Sequence, residues 1–442
     1  EIRLSLVGSE MCIRDRVSSL PTPQRAVTLA ALFALGLIAV LVAGCREESD
    51  AAAAFEARGR PIAGDPRPFL LGFSDVPAQL TSDAYIRQFD LVANYGEAIM
   101  LQRPASWSQF LPDAEVSEAL RDEVVAAREA ARARDLEMIV ALDPFDAGNR
   151  ARLGGLPAEY EGRSLADRDL RAAFVAEATF IARNMRPEYL VLGTEVNATY
   201  ERNPEGYFAF LDAYRAAYDA VKEASPQTQV FVTFQYEELL GVVPELPPHA
   251  PRWELLDDFG ESIDLLGITS YPSFAYPTAR KVPVEYYTQL REHTELPIVF
   301  AGVGFASGAG RAGVNASTEP EQRRFVQRLL EDAFALQTPL LVWFAAEDLG
   351  FAGTPPYDLL ASIGLRDANG APKESWTVWE EASNRPVDRD AAADLLAERA
   401  AAGTPTATPE ATPEPDETEA AGDETPEGEA TEGSDASGPA SN

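Results

Sequence analysis

A glutamate stands at the end of an apolar run in residues 189–199, which read YLVLGTEVNAT. Such a run indicates a buried strand, and burying a carboxylate is costly unless the group is paired or put to use. Glu195 at the end of a strand is placed like a general acid, which donates a proton to a leaving group. We predict that Glu195 is catalytic. The alternative is a structural carboxylate paired with a cation such as Arg103.

Other side chains follow neighbouring apolar runs and suit a sugar. Aromatic faces stack on a pyranose ring, while carboxylates and amides bind its hydroxyl groups. Tyr271 and Trp343 could instead only fill space, and the prediction is weaker for Tyr236 and Gln235. The predicted substrate-binding residues are Asn197, Gln235, Tyr236, Tyr271, Trp343 and Trp107.

Several chemistries are excluded because the chain has only two histidines and two cysteines. Cys12 and Cys45 both lie in the apparent leader, so the chain after Cys45 has no thiol and can form no internal disulfide. A Ser-His-Asp triad, a Cys-His pair or an HExxH zinc site would need residues that this chain lacks. We therefore predict carboxylate chemistry, with no metal and no cofactor.

The charge balance narrows the choice of partner. The formal net charge is −34, and the sequence pI is about 4.4. Such acidity argues against nucleic acid as an electrostatic partner, and against an anionic membrane surface. The predicted partner, a carbohydrate, is inferred from the aromatic, carboxylate and amide side chains named above.

The elements that position these residues alternate along the chain. Eight apolar runs lack the polar alternation of a half-exposed sheet, as expected for parallel strands covered by helices. Amphipathic segments lie between several of them. This pattern predicts an α/β fold, a (β/α)8 TIM barrel whose site forms at the carboxyl ends of the strands, with a doubly wound sheet as the alternative. The runs are 68–77, 98–107, 137–146, 189–197, 229–237, 263–272, 296–305 and 339–349, and the predicted helices are 116–136, 167–185, 205–224 and 318–336.

Residues 68–380 resemble the retaining (β/α)8 glycoside hydrolases, near the endo-β-1,4-galactanase and β-mannanase types. LGTEVN resembles the strand-four motif of that clan, and DLLGITSYP resembles its strand-six pattern. The resemblance implies that Glu195 is the general acid/base, that Tyr271 lies beside the site and that Trp343 stacks on a sugar. The order and spacing of these motifs carry the resemblance, since no single motif is specific.

Strand seven departs from the pattern of the clan. Its segment LPIVFAGVGFAS places Gly302 where the clan has its nucleophilic glutamate. Retaining hydrolysis uses two carboxyl groups about 5–5.5 Å apart, and inverting hydrolysis uses two about 6.5–9.5 Å apart. A second carboxyl group must therefore come from elsewhere. The candidates are Glu237, Glu347 and Asp348, with Asp143 on strand three as a further possibility.

The ends of the chain lie outside the predicted barrel. Residues 1–16 fit nothing that follows, and residues 17–45 resemble a lipoprotein signal peptide that ends in Val-Ala-Gly-Cys. We predict lipidation of Cys45, with an uncleaved membrane anchor as the alternative. Residues 46–67 form a spacer and 68–385 the barrel, while 386–442 hold a helical extension and a disordered tail rich in Thr, Pro and Glu.

Two functions fit these observations. The first is a cell-envelope glycoside-hydrolase-like protein that acts on or binds a β-linked polysaccharide, with Glu195 as general acid/base and a non-standard second carboxylate. The second is an inactive carbohydrate-binding barrel on the same lipid anchor. Both predict an extracytoplasmic protein that is tethered to a bacterial membrane.

Overall fold

A computed structural model describes residue 55 and residues 57–59, 61–310, 315–352 and 357–390. The predicted leader with Cys45, most of the spacer, and residues 391–442 lie outside the described residues. Within the part of the chain that is described, no helix has the length and apolar character needed to cross a membrane.

Eight parallel strands close into a barrel, which confirms the predicted fold. Each strand pairs with the next along the chain, and the last closes on the first through pairs such as Leu70 with Leu340. The strands are Leu70–Ser74 (β1), Ala98–Pro104 (β2), Glu137–Asp143 (β3), Tyr189–Leu192 (β4), Gln229–Gln235 (β5), Leu265–Ser270 (β6), Ile298–Val303 (β7) and Leu340–Trp343 (β8).

Helices surround the barrel and lie close to the bounds that periodicity predicts. Their caps explain where several of them begin: the Thr81, Ser117 and Asp167 side chains each accept a backbone N–H of the first turn. The helices are Ser82–Tyr95 (α1), Trp107–Phe110 (α2), Glu118–Arg132 (α3), Arg168–Asn184 (α4), Val196–Arg202 (α5), Pro204–Ala224 (α6), Tyr236–Leu239 (α7), Glu319–Leu336 (α8) and Glu374–Ser383 (α9).

Two connections lack a full α-helix. After β5 the chain forms the short α7 and a 3-10 turn at Trp253–Asp257, and after β6 it forms three further 3-10 turns. Both connections contain several prolines, for example in PELPPHAP. Proline removes a backbone donor and clashes with the preceding turn, so long helices do not form there.

The strands are buried on both faces, as their apolar runs predict. Every residue of β1, β4, β6, β7 and β8 is buried. One face fills the barrel and the other packs against the helices. The rigid ring of strands fixes the residues at its carboxyl end.

A short antiparallel hairpin follows β3 and projects over that end. Phe145–Asp146 pairs with Asn149–Leu153, and the Asp146 carboxylate accepts the Gly148 and Asn149 amides in the turn. Helix α5 contacts the second strand of this hairpin. The hairpin therefore lies beside the turn that carries Glu195.

Candidate functional site

Glu195 occupies a strained turn between β4 and α5. Its φ and ψ are 49° and 45°, in the left-handed region that residues other than glycine rarely adopt. Its backbone N–H donates to Thr233 Oγ1 at 2.8 Å, which ties the turn to β5. Such strain persists only where surrounding contacts hold it, and it is concentrated at functional sites.

The carboxyl group of Glu195 is half-buried at the carboxyl end of the barrel. Its Oε1 accepts a hydrogen bond of 3.0 Å from Thr269 Oγ1 on β6. Burial raises the pKa of Glu195, the positive charge of Arg150 opposes that rise, and Glu238 and Asp143 add to it. The pKa is therefore shifted in the direction that a general acid requires.

Arg150, on the hairpin, joins β3 to the Glu195 turn. Its Nη1 lies 2.5 Å from Asp143 Oδ2, and its Nη2 donates to the backbone oxygen of Thr194. The Thr194 hydroxyl donates to the same Asp143 carboxylate at 2.5 Å. These three groups hold the residue before Glu195 and bring a positive charge close to the acid.

Gly302 lies in a bulge of β7 opposite Thr269. The pairing of β7 slips by one residue there, because Ile268 pairs with Phe300 but Ser270 pairs with Val303. The φ of Gly302 is 142°, a conformation that side chains disfavour. A Cβ atom built on Gly302 would lie at ordinary contact distances, 3.5 Å from Thr269 Cγ2 and 3.6 Å from the Tyr271 hydroxyl.

Two rings border the Gly302 position. Tyr271 and Phe344 are both half-buried and meet edge to face, with centroids 5.8 Å apart and an interplanar angle of 89°. The Phe344 ring lies 4.0 Å from the Cβ position of Gly302. The negative charges of Glu195 and Glu237 contribute to the raised pKa of Tyr271, after burial, so this phenol lies near both acids.

The Trp343 ring lies in the interior of the protein, so the prediction that it stacks on a sugar is wrong. Trp343 is 0% exposed and its ring faces the helix layer, against Phe325 of α8 and Trp379 of α9. Its Nε1 donates to the Ile363 backbone oxygen at 3.0 Å. Side chains alternate along a strand, so the next residue, Phe344, takes the place at the mouth that was predicted for Trp343.

Trp107 and Tyr236 are also packed away from the mouth. The Trp107 side chain is buried, and its Nε1 donates to the Gly154 oxygen at 2.7 Å. Tyr236 is buried among Tyr286, Tyr287 and the ring of Trp253, and its hydroxyl donates to the Tyr286 oxygen at 2.5 Å. Neither ring has an open face, so neither supports the predicted sugar contact.

Asn197 and Gln235 hold the backbone together. The Asn197 amide donates to the Gln235 oxygen at 2.9 Å and accepts from the Gln235 N–H at 2.8 Å. The Gln235 side chain caps α7 through the Glu238 N–H and donates to Glu237. Their polar atoms are used within the protein, in contrast to the predicted role as substrate ligands.

Glu237 has no free oxygen for catalysis. Its Oε1 accepts from Ser270 Oγ at 2.6 Å and from the Tyr286 hydroxyl at 2.7 Å, and its Oε2 accepts from Gln235 Nε2 and the Tyr271 N–H. The side chain is completely buried. Four donors around one carboxylate make Glu237 an anchor that joins β5, β6 and the loop after β6.

Glu347 and Asp348 are engaged in the loop after β8. Asp348 lies 2.5 Å from the buried Lys373 ammonium and accepts the Gly364 N–H at 3.0 Å. The Glu347 backbone bridges to that of Arg366, but its half-buried carboxylate has only a distant ion pair with Arg366, at 4.0 Å. Among the described residues, no hydrogen bond joins Glu195 to Glu237, Glu347 or Asp348, the three candidates for the second carboxylate.

Thr269, Arg150 and Phe344 belong to the site but were not predicted from the sequence. Phe344 could have been found by testing both alternations of the eighth strand. Arg150 lies in FDAGNRARL, in which Gly148 and Asn149 mark a hairpin turn. Thr269 carries no signal of its own, since a threonine in a buried strand is common.

Solved structures share this barrel at low sequence identity. No family model and no curated protein matches the sequence. An exo-β-1,4-mannosidase from Opitutaceae bacterium strain TAV5 superposes with a TM-score of 0.55 at 16% identity, covering 77% of this chain and 63% of the mannosidase. The chain thus spans less than two thirds of that protein.

Two further structures have similar scores. A GH5_18 protein from Bifidobacterium longum subsp. longum in complex with Manβ1-4GlcNAc gives a TM-score of 0.53 at 15% identity, covering 72% of this chain and 80% of that one. A β-glucosidase gives 0.50 at 17% identity, with 70% and 90% covered. The chain therefore has the fold of (β/α)8 glycoside hydrolases.

Proposed function

We propose that this protein is a glycoside-hydrolase-like barrel that binds a β-linked saccharide at the carboxyl end of its strands, with Glu195 as the acid. The observation that carries the proposal is the convergence at that end of the Glu195 carboxyl group, the Thr269 hydroxyl, and the Tyr271 and Phe344 rings. A proton donor beside aromatic surface is the combination that a sugar site needs.

We further propose that the protein hydrolyses the saccharide that it binds. Burial raises the pKa of Glu195, which is the direction that favours a proton donor. Catalysis depends on groups that are already in position to stabilise the transition state. Thr233 and Arg150 hold the strained turn in place and so preorganise the Glu195 acid.

A second candidate is a binding barrel without turnover. The observation that favours it is the state of the other carboxylates: Gly302 has no side chain, Glu237 accepts four hydrogen bonds and Asp348 is paired with Lys373. The acids whose charges act on Glu195 are Glu238 and Asp143, and each is held in an ion pair. The position beside Glu195 therefore lacks the second free carboxyl group that glycoside hydrolysis ordinarily uses.

Reducing-sugar release from soluble β-glycans tests both candidates. We would compare the wild type with Glu195→Gln, and with Glu223→Gln as a control on the exposed face of α6. We expect release from the wild type and the control, with a loss of about 100-fold or more in Glu195→Gln, the size expected for a general acid.

Affinity electrophoresis through the same glycans separates binding from turnover. Retardation without sugar release supports the second candidate. Equal release from the wild type and Glu195→Gln eliminates Glu195 as the acid, and a protein that neither binds nor cleaves any of the glycans contradicts both candidates.

We also propose that the protein is extracytoplasmic and anchored to a bacterial membrane through a lipid on Cys45. The support is the sequence pattern before Cys45, which lies outside the described residues. Detergent phase partitioning of the full chain expressed in a bacterium tests it. The wild type should enter the detergent phase and Cys45→Ser should not; equal partitioning of the two would contradict a lipid at Cys45.

A further inference from the structure

We propose that the substrate carries a 2-acetamido group on the sugar whose bond is cleaved, and that this group is the nucleophile that the protein lacks at Gly302. The inference rests on the proposed saccharide site and names the class of sugar, a 2-acetamido-2-deoxy-β-hexoside. It explains how a site without the strand-seven carboxyl group could still turn over.

The niche beside Gly302 has the shape and chemistry for a small amide. Its walls, as seen from the Gly302 Cβ position, are the Thr269 methyl group at 3.5 Å, the Tyr271 hydroxyl at 3.6 Å and the Phe344 ring at 4.0 Å. The methyl group of an acetamide would lie against Thr269 and Phe344. Its carbonyl oxygen would lie near the Tyr271 hydroxyl.

The Tyr271 hydroxyl is suited to hold that carbonyl group. Within the described residues it makes no hydrogen bond to protein, whereas the backbone N–H of Tyr271 is fixed on Glu237 at 2.9 Å. Burial, with the nearby charges of Glu195 and Glu237, raises the pKa of Tyr271 well above its ordinary value. The phenol therefore stays protonated and can donate to an amide oxygen.

Thr269 places the acid and the niche on two sides of one residue. Its hydroxyl contacts Glu195 at 3.0 Å, while its methyl group forms a wall of the niche. A sugar ring above Thr269 could present its glycosidic oxygen to Glu195 and its C2 substituent to the niche. The two groups that must act on the anomeric carbon are then adjacent.

The chemistry balances with a single carboxyl group. In the first step the acetamide oxygen forms a bond to C1, the bond from C1 to the leaving oxygen breaks, and the Glu195 proton passes to that oxygen. The products are a bicyclic oxazoline, in its protonated form, and the released alcohol or sugar. In the second step Glu195 takes a proton from water, the water oxygen forms a bond to C1, and the bond from C1 to the acetamide oxygen breaks, which restores the neutral acetamide and retains the configuration. Substrate-assisted hydrolysis of this kind is a known exception to the use of two carboxylates.

The other acids near Glu195 are poorly placed to act as the general base of an inverting hydrolysis. Asp143 is bound by Arg150 and Thr194, and Glu238 forms a bidentate pair with Arg202 at 2.7 and 3.0 Å. A general base needs a free oxygen to take a proton from water. Both carboxylates would first have to break an ion pair.

Matched substrates test the role of the acetamide. We would measure hydrolysis of 4-nitrophenyl 2-acetamido-2-deoxy-β-glucoside and β-galactoside against the 2-hydroxy glycosides, and of a series whose N-acetyl group carries one, two or three fluorines. Fluorine weakens the carbonyl oxygen as a nucleophile. We expect cleavage of the acetamido sugars only, with kcat falling by about tenfold or more across the series.

Binding of the thiazoline analogue of the oxazoline, measured by calorimetry, is a readout that does not depend on the leaving group. We expect it to bind more tightly than the acetamido sugar itself, as an analogue of the intermediate should. Proton NMR of the first product should show the β-anomer.

Four results would overturn the proposal: equal cleavage of the 2-hydroxy and 2-acetamido sugars, a flat response to fluorine, an α-anomer as first product, or failure to cleave acetamido sugars and bind the thiazoline. If the protein gives one of these results but is still retarded by other β-glycans, the proposed saccharide site stands and only the acetamide inference fails. If it binds no saccharide, both fail.

Tyr271→Phe separates a positioning role from general damage. It removes the hydroxyl group but keeps the ring against Phe344, so folding should be preserved. We expect kcat on the acetamido sugar to fall by about tenfold with a smaller change in KM, whereas Tyr276→Phe, which lies in the same loop, should match the wild type. An unchanged kcat in Tyr271→Phe would contradict the role assigned to its hydroxyl.

Discussion

At the scale of single residues, two glutamates at the same end of the barrel differ in what surrounds them. Burial raises the pKa of both Glu195 and Glu237. Glu195 has one protein donor on its carboxyl group, Thr269, whereas four donors surround Glu237. Composition alone could not separate the two residues, because the difference depends on donors from β6 and the loop that follows it.

Glu237→Gln should destabilise the protein and Glu347→Gln should not. In the glutamine variant the side-chain NH2 group would face hydrogen-bond donors that the carboxylate now accepts. The buried donors would be left unsatisfied, at a cost of about 1–3 kcal/mol. Glu347 is half-buried and lies 4.0 Å from its partner Arg366, so its loss should cost less than about 1 kcal/mol. Urea unfolding measures both variants. Equal stabilities would contradict the role of Glu237 as an anchor.

Thr269→Val should raise the pKa of Glu195 further. The Thr269 hydroxyl stabilises the ionised carboxylate, so its removal favours the protonated form, while valine keeps the methyl group at the niche. Because a higher pKa keeps the acid protonated to higher pH, any activity should persist to higher pH. Isotope-edited infrared titration, with Glu195→Gln as the subtraction reference, measures the pKa directly. A lower pKa in the valine variant would show that the hydrogen bond does not favour the carboxylate.

At the scale of elements, apolar runs predict where strands lie but not which way their side chains face. A strand buried on both sides lacks the alternation that would mark its inner face. The eighth strand illustrates this limit, since LLVWF places Trp343 in the helix layer and Phe344 at the mouth. The position of Glu195 could be predicted because the carboxyl ends of parallel strands gather at one edge. The bulge at Gly302 could not, because it depends on the register with β6.

In the hairpin after β3, Arg150 should contribute more to the stability of the protein than Arg152. Arg150→Met leaves the Asp143 carboxylate without its cation in a largely buried place, which should cost about 3 kcal/mol or more. Arg152, two residues on, pairs with Asp146 from an exposed position, so Arg152→Met should cost less than about 1 kcal/mol. Chemical denaturation compares the two, and similar losses would contradict the proposed bridge from the hairpin to the Glu195 turn.

At the scale of the whole molecule, carboxylates buried between the strands and the helices couple folding to pH. Arg103 lies 2.7 Å from Glu123 and interacts with Asp75 and Glu177, between β2 and the helices. Burial raises the pKa of Asp75 and of Glu177 to about 7. Asp75 directly follows β1 and Arg103 lies near the end of β2, but their grouping with Glu123 and Glu177 depends on the packing of α3 and α4, which the sequence does not show.

Stability should fall as the pH rises from about 4 to 7 and level off above 7. In that range the folded protein keeps protons on Asp75 and Glu177 that the unfolded chain has lost, so raising the pH favours unfolding. Thermal unfolding from pH 5 to pH 8 measures the trend, at about 2–4 °C per kcal/mol. Glu177→Gln, which can still accept the Ser106 N–H, should flatten the curve; an equally steep curve would contradict the assigned pKa.

The central claim is that the saccharide binds at the carboxyl end of the barrel, against Phe344 beside Glu195. Affinity electrophoresis of Phe344→Ala through soluble β-glycans, including an N-acetylated one, tests it most directly. Tyr218→Ala is the control, because Tyr218 lies on α6 and bonds Asp264 at the amino end of β6, the opposite end of the barrel. We predict that retardation is lost in Phe344→Ala and kept in Tyr218→Ala. Retardation that survives the loss of the Phe344 ring would contradict the account.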